Sequence, residues 1–102
     1  MQDPFVARAY ELKSTLLTME QEAGDEDLFS IGYMIPQLEL VLEMAEYDPD
    51  NVETEDFDQT YQDWLEVAFD QDGMDQSDRH RTRQLWQQAL SRTHNATEAR
   101  DQ

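Results

Sequence analysis

Carboxylates greatly outnumber every other reactive side chain in this sequence. They are therefore the first candidates for catalysis or metal binding. The chain has 24 Asp and Glu residues against seven Lys and Arg and two His, which gives a formal net charge of −17 over 102 residues. Carboxylates act as general acids or bases when they are desolvated or paired in a cleft. They also bind hard cations such as Ca²⁺. The residues around them decide between these uses.

Two aspartate-rich stretches lack the ligand pattern of a calcium-binding loop. An EF-hand loop has oxygen ligands at its first, third and fifth positions, glycine at the sixth and glutamate at the twelfth. Counted from Asp48, the last three of these positions hold Val52, Glu53 and Gln59, and a loop counted from Asp70 fails at the same three positions. A specific metal site is therefore not expected.

Catalytic motifs are missing from the sequence. His80 lies among arginines in a predicted first helical turn and His94 lies near the C-terminal end, so both are interpreted as solvated. There is no nucleophile motif, glycine-rich phosphate loop or HExxH zinc motif. The chain has no cysteine, which excludes disulfides and thiolate metal sites. We therefore expect a protein that is not an enzyme and that needs no cofactor.

The charges are segregated along the chain. No Lys or Arg lies between Ser14 and Asp78, a stretch with twenty acids, whereas the segment from Arg79 to Arg92 has four arginines and no acid. The electrostatic field of such a negative protein repels nucleic acids and anionic lipid surfaces. Direct binding to either is therefore not expected. The same field favours a partner with a basic patch. A surface that serves only solubility, or a salt-adapted proteome, explains the same composition.

Neither a membrane span nor a secretory signal is predicted. No apolar run approaches the ~18 residues that a membrane span needs. The first residues, MQDPFVARAY, lack the basic and apolar regions of a signal peptide. We therefore expect a cytoplasmic protein with one domain. Its oligomeric state stays open.

The elements that must position the carboxylates are helices. Four segments repeat apolar residues every three or four positions, and none shows the alternation of a strand. The first segment begins at Asp3 and Pro4, an N-cap acid followed by proline. Its apolar stripe consists of Phe5, Ala9, Leu12, Leu16, Met19 and Ala23.

The second segment begins at Asp25 and is the most apolar of the four. Its predicted buried stripe consists of Leu28, Ile31, Ile35, Leu38, Leu42 and Ala45, and the residues that widen this surface are Phe29, Tyr33, Met34 and Val41. Pro36 removes a backbone donor and its ring crowds the carbonyl of Gly32, so we expect a kink. The functional alternative is that Gly32–Pro36 forms a hinge or a binding notch.

Caps and turn residues delimit the third and fourth helices. Thr54 is the predicted N-cap of the third helix. Asp75 is the predicted N-cap of the fourth helix, with Met74 placed to act as a hydrophobic staple. Trp64 and Trp86 are expected in the core or at its edge.

Four amphipathic helices with short connections predict a small all-α bundle. Residues 1–92 are assigned to a single four-helix domain whose second helix is kinked at Pro36. Residues 93–102 have no apolar stripe and are predicted to form a flexible tail.

Two stretches carry a resemblance to a known family. DEDLFSIGYMIPQLELVLEMAE, from Asp25, resembles the signature of the YfcL-like family of small uncharacterised bacterial proteins, with an acidic pair before Leu-Phe, then Gly-Tyr and a Leu-rich helix. MDQSDRHRTRQLWQQAL, from Met74, is similar to the closing helix of that family, with a capped first turn and a central Trp. Pro36 departs from the family pattern. The resemblance implies a compact helical protein and no particular function.

The sequence favours a non-enzymatic, acidic interaction protein that binds a basic protein or a basic patch. The candidate anionic residues are Glu39, Glu43, Glu46, Glu55, Asp56, Asp63 and Glu66. An apolar notch at Gly32, Tyr33 and Pro36 with an acidic rim is the second candidate surface. One alternative function is a mimic of DNA or RNA that inhibits a nucleic-acid-binding protein. The other is a solvated acidic bundle with a metal-dependent or enzymatic role that uses buried carboxylates.

Overall fold

Four helices make up the described part of the protein. The structure is a computed structural model that describes the backbone of residues 3–100 and the side chains of residues 3–95. The helices are α1 (Pro4–Glu22), α2 (Asp25–Met44), α3 (Thr54–Gln71) and α4 (Gln76–Arg100). No strand occurs among these described residues, so the predicted all-α, four-helix fold is confirmed. The bundle is flattened, with principal extents of 38 × 32 × 16 Å.

The first helix forms as predicted because its sequence supplies both a cap and a continuous apolar stripe. The Asp3 carboxylate accepts a hydrogen bond from the backbone N–H of Val6 at 2.8 Å, and Pro4 occupies the first turn. Five of the six stripe residues are buried, and the sixth, Ala23, is partly buried against the core. α1 packs against each of the other three helices.

The second helix buries only part of the predicted stripe. Its buried residues are Ser30, Ile31, Met34, Leu38 and Val41. Leu28, which was expected in the core, is 40% exposed, and Ile35 and Leu42 are only partly buried. The prediction was right for Ile31 and Leu38 and wrong for Leu28, because α2 has apolar side chains around most of its circumference. Contacts with α1, α3 and α4 select the face that is buried.

The proline of α2 does not end the helix, which continues through it to Met44. Pro36 is exposed, so its ring lies on the outward side of the helix. Gly32 is exposed as well, and a Cβ atom built there would meet no side chain or other segment of the described structure within 4 Å, apart from its immediate neighbours in the helix. No neighbouring segment in the described structure therefore depends on the missing side chain of this glycine.

The start of α3 corrects one predicted cap. Glu53, and not Thr54, is the N-cap residue. It forms a reciprocal capping box with Asp56, whose carboxylate accepts the Glu53 backbone N–H at 2.8 Å. Thr54 is the first residue of the helix.

The turn between α3 and α4 is closed by backbone and arginine contacts. Gly73 has a φ of 62°, in the left-handed region that glycine tolerates best. This conformation lets the Met74 N–H donate to the Phe69 carbonyl at 3.0 Å. Arg79 donates to the Met74 carbonyl and to the Asp70 carboxylate, both at 2.6 Å. These bonds hold the beginning of α4 against the end of α3.

The fourth helix begins with the predicted cap and extends further than predicted. The Asp75 carboxylate accepts the backbone N–H of the residue three positions later, at 2.8 Å. The helix runs to Arg100, and Thr93 is 2% exposed with its hydroxyl 2.7 Å from that of Thr15 on α1. The bundle therefore does not end at residue 92. The last part of the predicted tail, residues 101–102, lies outside the described residues.

The two tryptophans occupy different environments, within the range that the sequence predicted. Trp86 is 2% exposed, and its ring lies edge-on to Tyr61 with the centroids 4.8 Å apart. The indole nitrogen of Trp86 has no hydrogen-bond partner among the described residues. Trp64 is only partly buried and packs at the edge of the core. Trp86 is thus a core residue, whereas Trp64 borders the surface.

Candidate functional site

An apolar strip runs along α2 beside the residues that this helix buries, on the side that adjoins α3. It consists of Phe29, Tyr33, Pro36, Leu40 and Met44, which follow one another at steps of four, three, four and four. These steps keep the five residues on one face of a helix. Phe29 is 56% exposed, Leu40 38% and Met44 61%. We call these five residues the α2 strip.

A groove of about 480 Å³ adjoins the α2 strip where α2 meets α3. Residues on its walls include Gln37 and Leu40 on α2, Asp63, Trp64 and Val67 on α3, and Asp72 just after α3. Val67 is 55% exposed. Together with the indole ring of Trp64 and the side chain of Leu40, it makes the groove mainly apolar. We call this feature the α2–α3 groove.

Two side-chain hydrogen bonds connect α2 and α3 along this groove. Trp64 Nε1 donates to Gln37 Oε1 at 2.7 Å, and the Tyr33 hydroxyl donates to Asp72 Oδ2 at 2.6 Å. The Tyr33 ring also lies against Phe69, with the centroids 6.0 Å apart. Burial and the adjacent Asp72 carboxylate raise the pKa of Tyr33 well above its ordinary value of 10.0. Its hydroxyl therefore remains a donor at neutral pH.

Acidic side chains border this apolar surface on two sides. Glu39 and Glu43 lie one turn apart on α2, beside the α2 strip and away from the groove. Asp56, Asp63 and Asp70 recur every seven residues on α3, and Asp63 itself lines the groove. Because seven residues make nearly two helical turns, the three aspartates form a row. All five carboxylates are exposed.

The other predicted anionic residues lie away from this border. Glu66 accepts two hydrogen bonds from Arg83 on α4, both at 2.7 Å, and these lower the pKa of Glu66 from its ordinary value of 4.5. Glu55 is exposed on the side of α3 that faces away from the groove. Glu46 is exposed in the connection that follows α2. The structure therefore divides the predicted anionic residues among several faces.

Every Lys and Arg whose side chain is described forms an ion pair with a carboxylate on another helix. The pairs are Arg8–Asp58, Lys13–Glu39, Arg79–Asp70, Arg81–Asp27, Arg83–Glu66 and Arg92–Glu22, with N–O distances of 2.6–3.0 Å. The arginines of α4, which were separated from the acids in the sequence, reach acids of all three other helices. The described Lys and Arg side chains therefore link helices to one another. The acids that remain have no Lys or Arg partner among the described residues.

Metal binding finds no support in the described part of the chain. Among the residues searched there, no group of three or more His, Asp or Glu side chains is placed to hold a metal ion. His80 and His94 are both exposed. In the same described region, no helix is both long enough and apolar enough to cross a bilayer.

Sequence reasoning found part of this surface and missed the rest. It placed Tyr33 and Pro36 in a candidate notch, and both belong to the α2 strip. It assigned Leu40 and Val67 to no face, and it placed Trp64 in the core or at its edge, so none of the three was recognised as part of this surface. A second apolar stripe on α2, stepping by threes and fours beside the buried one, is the signal in the sequence that identifies this surface.

Comparisons with known proteins gave no match. A scan against protein-family models, a search of the curated proteins and a search of the solved structures each found nothing that matches this chain. The resemblance to the YfcL-like family therefore stays a prediction. The function is inferred from the geometry of the α2 strip, the α2–α3 groove and their acidic border.

Proposed function

We propose that this protein is a non-enzymatic, cytoplasmic interaction protein that binds a basic protein partner. The observation that carries the proposal is the position of exposed apolar side chains between two rows of carboxylates. Exposed apolar patches with a polar rim are typical of protein–protein interaction sites. Carboxylates around such a patch favour partners with Lys or Arg and disfavour acidic ones.

The internal ion pairs support a role for the remaining acids outside the fold. Glu39 and Asp70 in the acidic rows are paired with Lys13 and Arg79. Glu43 and Asp63 form no ion pair among the described residues. Repulsion between unpaired carboxylates disfavours the compact state, and a basic partner removes that repulsion when it binds.

Mimicry of DNA or RNA is the less supported alternative. A mimic of duplex phosphates needs a continuous anionic face, because phosphate contacts supply most of the affinity of the proteins that it must bind. Here Phe29, Leu40 and Val67 are exposed between the acidic rows. The surface therefore fits a partner that offers apolar side chains as well as basic ones.

A metal-dependent or enzymatic role for buried carboxylates is supported less still. A carboxylate used as a general acid has its pKa raised by burial or by a neighbouring negative charge. The pKa values of Asp27 and Glu66 are instead lowered, because Arg81 and Arg83 donate hydrogen bonds to their charged forms. Both carboxylates act as partners in interhelical ion pairs.

Affinity capture at two salt concentrations tests the proposed function. The immobilised protein is exposed to the lysate of its source at low and at high salt, and the retained proteins are identified by mass spectrometry. We expect basic proteins to be retained at low salt and released at high salt, because the Debye length shortens from about 10 Å at 0.1 M to about 3 Å at 1 M. If no basic protein shows this salt dependence, the proposal is wrong.

Two matched double variants show whether the border itself is responsible. Glu43→Gln with Asp63→Asn removes two charges from the border, and Asp50→Asn with Glu55→Gln removes two exposed charges elsewhere. None of the four is in an ion pair among the described residues. The first variant should lose most of the captured partner and the second should keep it. Equal losses would mean that binding follows net charge alone.

A further inference from the structure

We propose that the α2–α3 groove binds a basic amphipathic helix of about three turns, supplied by the partner. This inference rests on the proposed function and adds the shape and chemistry of the bound segment. The α3 residues that line the groove run from Thr60 to Gln71. They are eleven residues apart, which corresponds to about 16 Å of helix. A partner helix of about three turns has the same length.

The apolar walls of the groove suit the anchor residues of such a helix. Leu40 and Val67 are 38% and 55% exposed and offer aliphatic surface from opposite walls. Trp64 lies between α2 and α3, and its indole N–H donates a hydrogen bond to Gln37. Amphipathic helices bind in apolar grooves through side chains at positions i, i+3, i+4 and i+7. A partly exposed tryptophan in a groove is the kind of residue that dominates binding energy at interfaces.

The charges around the groove specify the polar side of the bound helix. Asp63 and Asp72 line the groove, whose lining residues include no Lys or Arg. Glu43 lies beyond the α2 strip on the other side. A helix docked by its apolar face directs its flanking residues toward both sides of the groove. Lys or Arg at those flanking positions come near carboxylates on both sides.

A second copy of this chain does not fit the same groove. Each copy has a net charge of −17, so the acidic borders would face like charges across the interface, which disfavours association. The cations that could relieve this repulsion are held in ion pairs between helices, at all six described positions. A basic segment of a different protein is the occupant that the charges favour.

A synthetic peptide of about 18 residues, long enough to populate a helix, is the probe for this proposal. It carries Leu at helical spacing on one face, Lys at the other positions and no aromatic residue. A control peptide has the same composition in an order that spreads the Leu residues around the helix. In titrations followed by NMR at low salt, the aligned peptide should bind about tenfold or more tightly than the control peptide.

The two indole N–H signals report where the aligned peptide binds. Trp64 lines the groove, whereas Trp86 is 2% exposed in the core. The Trp64 signal, assigned by its loss in Trp64→Phe, should move during the titration while the Trp86 signal stays in place. Movement of neither signal on saturation would place the peptide outside the groove and overturn the inference.

Two matched double variants test the apolar contacts without altering charge. Leu40→Ser with Val67→Ser changes the groove, and Tyr10→Ser with Leu17→Ser changes two α1 residues that are 49% and 41% exposed. We expect the groove variant to weaken binding of the aligned peptide by about tenfold and the α1 variant to leave it unchanged. All four residues are substantially exposed, so both variants should stay folded.

The outcomes distinguish the inference from the proposed function. The inference is overturned if the aligned peptide binds no better than the scrambled peptide, or if the groove variant binds it as tightly as the unaltered protein. A dimer in sedimentation experiments that the groove variant dissociates would also overturn it, because the occupant would then be a second copy. None of these results affects the salt-dependent capture of basic proteins, which tests the proposed function separately.

Discussion

The hydroxyl of Tyr61 on α3 donates a hydrogen bond to the backbone carbonyl of Met34 on α2. The accepting carbonyl lies two residues before Pro36, next to the segment where the proline removes one backbone donor from the helix. Tyr61 is fully buried, and this burial raises the pKa of its hydroxyl well above the ordinary value of 10.0. The hydroxyl therefore remains a donor, and the bond connects the two helices on the core side of the α2–α3 groove.

Removing this hydroxyl should destabilise the protein moderately. Tyr61→Phe keeps the aromatic contacts with Phe57 and Trp86 and deletes only the donor. We expect the free energy of unfolding, measured by urea denaturation, to fall by about 1–2 kcal/mol, since a buried carbonyl loses a partner. An unchanged free energy would show that the Met34 carbonyl is satisfied by its own helix.

Replacing the proline in α2 should be tolerated. Pro36 is exposed and α2 continues through it, so Pro36→Ala removes no core contact and restores a backbone N–H that can donate to the Gly32 carbonyl. We expect an unchanged or higher urea midpoint, because alanine is favoured over proline in a helix interior by about 3 kcal/mol. A loss of more than about 2 kcal/mol would show that packing requires the proline.

Gly32→Ala is the matched test of the same segment. The position is exposed within the helix, and an added Cβ meets no other segment of the described structure within 4 Å. The variant should gain roughly 0.5–1 kcal/mol, the difference in helix propensity between the two residues. Destabilisation by Gly32→Ala together with Pro36→Ala would point to a required backbone distortion in this part of α2.

The two tryptophans should differ in their contribution to stability. Trp86→Ala removes a ring that is 2% exposed and should cost about 3–5 kcal/mol. Trp64→Ala should cost clearly less, because the Trp64 ring is partly exposed at the edge of the core. Urea denaturation of both variants measures the difference. A larger loss of stability in Trp64→Ala than in Trp86→Ala would mean that the hydrogen bond from Trp64 to Gln37 governs the packing of α2 on α3.

Added monovalent salt should raise the melting temperature. Six acids are neutralised by interhelical ion pairs, but the net charge of −17 leaves a large excess that repels itself at low ionic strength. Screening by salt shortens the range of this repulsion to about 8–10 Å at physiological ionic strength. Thermal unfolding followed by circular dichroism at several NaCl concentrations provides the measurement. A melting temperature that falls with salt would show that the ion pairs outweigh the repulsion.

The pair between Glu66 and Arg83 should make a small contribution that depends on pH. The hydrogen bonds from Arg83 lower the pKa of Glu66 below 4.5. A lowered pKa means that the stabilisation is complete above 4.5 and is lost as the pH falls through the lowered value. Glu66→Gln should therefore be less stable than the unaltered protein at pH 7, by about 0.5 kcal/mol or less for so exposed a pair.

Acid titration of that variant completes the prediction. The difference between Glu66→Gln and the unaltered protein should disappear on acidification, whereas Glu55→Gln, at an exposed site away from α4, should show no loss of stability at pH 7. Urea midpoints measured across the acidic range give both comparisons. A difference that persists at the lowest pH would indicate that Glu66 stabilises the fold by packing and not by charge.

Local features of the fold could be read from the sequence because they depend on residues close together in the chain. The caps formed by Asp3 and Asp75 involve backbone groups only three residues away. The α1 stripe is the longest continuous apolar face of its helix, so one orientation buries far more apolar surface than any other. The existence of four helices follows from interactions of this range, and the structure confirms it.

The tertiary structure decided the features that depend on which helices meet. α2 has two apolar faces, so the sequence could not tell that Leu28 and Phe29, both expected on the buried surface, would be exposed. The segment around Thr93 has no apolar stripe. The hydroxyl of Thr93 nevertheless forms a hydrogen bond with that of Thr15 on α1. The α2–α3 groove and its acidic border arise in the same way. Helical periodicity states which residues share a face, but contacts with the other helices determine which face turns inward.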